Sequence, residues 1–76
     1  MDWQKHITRD FSVMTGKPCI KGTRITVDFI LKLFASGWTK EKVLASYPHI
    51  TNENINAVFS YTASILQDDD VLSQIN

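Results

Sequence analysis

From Thr26 onward the apolar positions recur at helical spacing, and three segments separate themselves. In the first, Val27, Ile30, Leu31 and Phe34 keep the i, i+3, i+4, i+7 interval, with Phe29 and Leu33 beside them. That is the wide core-facing stripe of an amphipathic helix. The Thr26 hydroxyl ahead of it can accept from an orphan amide near Phe29. Asp28 in the first turn complements the positive end of the helix dipole. Gly37 suits the left-handed residue just past the helix end. The next two helices share one start signal. Trp38 precedes Thr39 with Val43 four residues beyond that cap, and Ile50 precedes Thr51 with Ile55 four residues beyond. Each is a hydrophobic staple around a threonine N-cap. The second helix is predicted from Lys40 to about Tyr47, where Pro48 excludes further helical geometry. The third is predicted from Asn52 to about Leu66, with Ile55, Val58, Phe59, Thr62 and Leu66 on one face. Asp68, Asp69 and Asp70 favour the first turn of a short last helix through Val71, Leu72, Ser73, Gln74 and Ile75.

Ahead of Thr26 the pattern is irregular and β-like. His6-Ile7-Thr8-Arg9 is a strand candidate closed by the turn former Asp10. Gly16 and Pro18 punctuate the next turn, Cys19-Ile20 is a strand beginning or an edge, and Gly22 breaks the run before Thr23-Arg24-Ile25. A ribbon of this size is not stable alone and must pair or lie on the helices. In a dimer, pairing with the partner's ribbon would also remove an exposed edge. The fold class is mainly α: a tri-helical helix-turn-helix over residues 26–66, a β-ribbon over 1–25 and a short helix or tail over 67–76, in one domain.

Length limits this fold. A chain of 76 residues buries a small core, so stapling or self-association is expected. The single cysteine, Cys19, excludes an internal disulfide, and His6 and His49 are too far apart to complete a zinc spacing. A homodimer is the remaining staple. There is no signal-peptide pattern and no apolar run of membrane-spanning length, so a cytoplasmic protein is expected. The net charge of zero hides a division. Residues 1–50 carry all eight basic side chains against four acids, a balance of +4, and residues 51–76 carry four acids and no Lys or Arg, a balance of −4. Either a basic surface serves a polyanion and the acidic end serves another partner, or the two ends attract each other.

Catalytic chemistry finds no support. Cys19 has no evident base to activate it, the three aspartates are explained by capping and solvation, and no phosphate-loop glycine pattern is present. No cofactor is implied. Nucleic-acid binding is better motivated. In a helix-turn-helix the second helix enters the major groove and its first residues meet base edges. Here those are Thr51, Asn52, Asn54 and Asn56, and a carboxamide can bond adenine N6 and N7 together. Lys40 and Lys42 could hold phosphate. Against this, the third helix has no Lys or Arg, although phosphate neutralisation supplies most non-specific affinity. The asparagines also fit a solvated face beside a cap. Lys17, Lys21 and Arg24 on the ribbon compete for the same role. Arg24 equally suits a bridge to Asp28 or to backbone carbonyls, and Gly22 a left-handed turn. A protein partner is the other class. Ile65, Leu66, Val71, Leu72 and Ile75 lie beside Asp68, Asp69 and Asp70, where they can meet a partner, pack on the chain itself or contact a second subunit.

The run Gly16-Lys17-Pro18-Cys19-Ile20-Lys21-Gly22-Thr23-Arg24-Ile25 resembles the signature of the family catalogued as DUF433. Ser36-Gly37-Trp38-Thr39, Tyr47-Pro48-His49-Ile50-Thr51 and Val58-Phe59-Ser60-Tyr61 extend the resemblance from about Ile7 to about Ala63. Two positions depart from the pattern: Phe11 follows Asp10 where proline is usual, and Thr15-Gly16 replaces a glycine pair. The resemblance implies a helix-turn-helix half and an antitoxin-like role beside a PIN-like nuclease toxin, with double-stranded operator DNA as a second partner. The alternative is an interaction module whose helix-turn-helix no longer touches DNA.

Overall fold

The computed structural model describes residues 1–12 and 14–68 of the chain. Two strands, β1 (Ile7–Thr8) and β2 (Cys19–Ile20), precede three helices, α1 (Val27–Ala35), α2 (Lys40–Ser46) and α3 (Asn52–Asp68). Short 3₁₀ turns sit at Trp3–Lys5 and Met14–Gly16. The fold is three helices with a small antiparallel sheet at the N-terminal end, and α2 and α3 follow each other in helix-turn-helix order.

The ribbon differs from the expectation in a way that matters later. β1 and β2 pair with each other, Ile7 opposite Ile20 and Thr8 opposite Cys19. The far side of β2 is closed by a bridge from Cys19 to Thr26, and the Val27 amide donates to the Pro18 carbonyl at 2.9 Å. β2 is therefore paired on both sides inside one chain, with β1 as the outer strand of the sheet. Strand structure is also shorter than predicted. His6 and Arg9 flank β1, and Thr23-Arg24-Ile25 forms a turn in which the Thr23 hydroxyl donates to the Ile20 carbonyl (2.8 Å) and accepts from the Ile25 amide (3.0 Å). Gly22 takes φ +82° there, as a left-handed turn requires. At the loop departing from the family pattern, Thr15 itself takes φ 54°, and the Phe11 ring lies 3.0 Å from where a Cβ on Gly16 would stand.

The helices begin where their caps place them. The hydroxyls of Thr26, Thr39 and Thr51 accept from the amides of Phe29 (3.2 Å), Lys42 (3.1 Å) and Asn54 (3.1 Å). Gly37 has φ +95° just past the Ser36 cap of α1. Tyr47 caps α2, one residue short of the predicted end, and α3 runs two residues beyond it. Val43, Ile50 and Ile55, three of the four staple residues, are buried at 0%, 3% and 0% exposure, and Trp38 packs against the same core.

That core joins Ile7 and Ile20 of the sheet to Val27 and Ile30 of α1, Val43 of α2 and Ile55, Ala57, Val58 and Tyr61 of α3. The buried face of α3 is rotated from the predicted one. Ala57 and Tyr61 are inside, whereas Phe59 and Leu66 each remain 43% exposed. The cause is the N-terminal segment. Trp3 meets Tyr61 edge to face, ring centroids 4.8 Å apart, and so turns that side of α3 inward. Cys19 is fully buried, as a structural thiol. The predicted helix through Val71, Leu72 and Ile75 lies outside the described residues. No helix among the described residues is long and apolar enough to cross a membrane.

Candidate functional site

The α2–α3 edge is built by two capped helix starts. At the start of α3, Thr51 and Asn54 make a reciprocal pair: the Asn54 amide donates to the Thr51 hydroxyl, and the Thr51 amide donates to Asn54 Oδ1 at 2.9 Å. This is a capping box with asparagine in the usual Glu or Gln place. Asn54 Nδ2 also lies 3.3 Å from His6 Nδ1, tying α3 to the N-terminal segment. The half-buried Asn54 carboxamide is therefore occupied, which corrects its assignment as a base reader. Its work is capping and tethering.

The remaining residues of this edge face solvent. Thr51, Asn52, Glu53 and Asn56 are exposed. Lys40 Nζ donates to Asn56 Oδ1 at 3.1 Å, which joins the first turn of α2 to the second turn of α3. Lys42 Nζ stands 4.3 Å above the Trp38 ring, a cation–π contact that holds the ammonium near the same helix start. Lys40, Asn52 and Asn56 thus share one side of the molecule, with Glu53 as an opposing charge, whereas Lys42 stands over Trp38.

The ribbon cations are placed apart from this bonded group. Lys21, Gly22, Thr23 and Arg24 line an open cavity of about 530 Å³ with Thr8, Asp10 and Cys19. Among the described residues, Lys21 Nζ makes only a long 3.4 Å contact to the Gln4 carbonyl. Arg24 makes no hydrogen bond or ion pair among the described residues, so the bridge to Asp28 does not form. Asp28 instead accepts from the Thr26 hydroxyl at 2.6 Å and pairs with Lys32 at 3.6 Å. The Thr26 bond holds the Asp28 carboxyl below the ordinary aspartate range, slight burial opposes this, and Lys32 and Lys17 add smaller pulls downward. Asp10 is held down likewise by hydrogen bonds from the Ser12 hydroxyl and amide.

A second, apolar surface opens between α1 and the end of α3. Val27 and Leu31 form one wall and Thr62, Ile65 and Leu66 the other, with Lys17, Pro18 and Asp28 at the rim, around a groove of about 330 Å³. Ile65 and Leu66 are 45% and 43% exposed. The structure thus places two of the proposed partner-binding residues, Ile65 and Leu66, in a groove, whereas Asp69, Asp70, Val71, Leu72 and Ile75 lie outside the described residues. Sequence reasoning missed the α1 wall of this groove and the role of Asn54. The position of Asn54, three residues after a threonine cap, was a readable signal for capping. Among the described residues no cluster of His, Cys, Asp or Glu could hold a metal ion.

Comparison with known proteins agrees with this architecture. No curated protein matches the chain. The crystal structure of a DUF433 member protein from Anabaena variabilis ATCC 29413 is similar, with TM-score 0.78 and 28% identity over 88% of this chain and 66% of that one. The chain thus spans just under two thirds of that protein's length. A family model described as "Protein of unknown function (DUF433)" matches residues 7–62. That match covers most of the chain and includes both strands, α1, α2 and the body of α3. The chain belongs to the DUF433 family.

Proposed function

We propose that the chain is a non-enzymatic, antitoxin-like regulator of the cytoplasm. As a dimer it binds a PIN-like toxin and the operator DNA of its own operon. The observation that carries the DNA half is the Lys40–Asn56 bond, because it makes one polar edge out of two helix starts. In a helix-turn-helix that edge meets the major groove. Lys40 and Lys42 hold phosphate, Asn52 is the carboxamide left to read base edges, and Asn56 joins it once a phosphate draws Lys40 away from its Oδ1. Lys17, Lys21 and Arg24 add positive charge from the ribbon. The toxin half rests on the family resemblance and on the acidic, apolar sequence from Asp68 onward.

One observation favours a second reading. With Asn54 occupied and no Lys or Arg after Lys42, the groove-facing helix has little electrostatic grip. On that reading the chain is an interaction module without DNA contact. Two experiments decide. Co-expression with the neighbouring gene product should yield a stable complex, and its absence removes the toxin half. Fluorescence anisotropy with upstream duplex should show binding that Lys40→Ala with Lys42→Ala weakens across sequences. No binding at low salt leaves only the interaction module.

A further inference from the structure

Phe59, Thr62 and Leu66 belong to the face that the sequence predicts as core, and with Ala63 they form an i, i+3, i+4, i+7 stripe that the fold leaves open. Phe59 and Leu66 are each 43% exposed, Ala63 is exposed and Thr62 is half-buried. Its α1 flank is apolar too: Leu31 lines the adjoining groove, and the Phe34 ring lies 5.2 Å from the Phe59 ring. We propose that this seam is the contact between two copies of the chain, with α3 of each copy lying across the α1–α3 groove of the other about a twofold axis. The inference builds on the dimeric reading above and names its surface.

Three observations point to a second copy as the occupant. Between Glu53 and Asp68, α3 carries no charged side chain over fourteen successive residues. A helix that must meet its own copy avoids placing like charges opposite each other, whereas a complement to a basic nuclease would use acids. Ala63 at the centre of the stripe allows two backbones to approach closely, while Phe59 and Leu66 on either side supply side chains to fill the facing groove. Finally, the charges fit a twofold contact. Lys17 lies at the rim of the groove, and the sequence that follows Gln67 is acidic, so the two can attract each other between copies. The ribbon's strands pair with each other within the chain.

The test is the molar mass of the whole chain in solution by light scattering, with circular dichroism as a folding control. The wild type should be dimeric. Leu66→Asp and Ala63→Arg sit on exposed positions, so both should stay helical while the dimer dissociation constant rises at least about 30-fold. Ala63→Cys should oxidise to a covalent dimer, whereas Glu53→Cys, away from the stripe, should not. A monomeric wild type overturns the proposal. So does a dimer that withstands both substitutions, which would place the contact elsewhere while the dimeric reading stood. Loss of toxin capture in Leu66→Asp with the dimer intact assigns the stripe to the toxin and also overturns it. Expected dimer behaviour without DNA or toxin binding would remove the proposed function and leave this contact standing.

Discussion

Asn54 shows how one side chain can be claimed by structure before function. Its carboxamide completes a cap and reaches His6, 48 positions earlier in the chain. Asn54→Ala should lower stability by about 1 kcal/mol, the usual worth of a helix N-terminal cap, as read from urea denaturation midpoints. Any base preference of the protein should survive that change. Asp28 carries a pH dependence. Its folded-state pKa is depressed, so its contribution is present above the unfolded-state value and fades as pH falls through the folded-state value. Asp28→Asn should therefore be less stable than wild type at neutral pH, by under about 1 kcal/mol because the carboxylate is exposed, and equal to it in strong acid. A difference that persists in acid would contradict the assignment. Of these residue roles, the threonine caps were legible because they depend on local order alone. The His6 tether and the Thr26 pull on Asp28 were not, since the first needs the tertiary fold and the second a rotamer.

At the scale of elements, the two staples explain why short segments hold their geometry. A seven-residue helix such as α2 is too short to persist alone in water, so Trp38 and Val43 must hold it to the core. Ile55→Ala should cost about 3 kcal/mol, since Ile55 is fully buried and its loss leaves a cavity beneath both the staple and the sheet. Gly37→Ala should cost about 1 kcal/mol, because alanine is strained at φ +95° although the space around it is open. Thermal melts of both variants check the ranking, and a larger cost for Gly37→Ala would contradict it. The sequence pattern located all three helices because caps, staples and the 3.6-residue period agree there. It misjudged the buried face of α3, because Trp3 adds a contact that periodicity within the helix does not encode. The ribbon pairing was also out of reach, as two-residue strands carry no register of their own.

The whole molecule carries two distinct surfaces on one small body. The proposed DNA contact uses the polar edge at the starts of α2 and α3, and the proposed protein contact uses the open apolar seam between α1 and α3. The division of charge along the chain foreshadowed two surfaces without locating either. The most direct test is a salt titration of binding to the upstream duplex, wild type against Lys40→Ala with Lys42→Ala. Log affinity should fall linearly with log salt, and the double substitution should make the slope shallower by about 4 units, roughly one for each of the four lysines lost from a dimer. Binding that ignores salt, or a slope that the two substitutions leave unchanged, would contradict it.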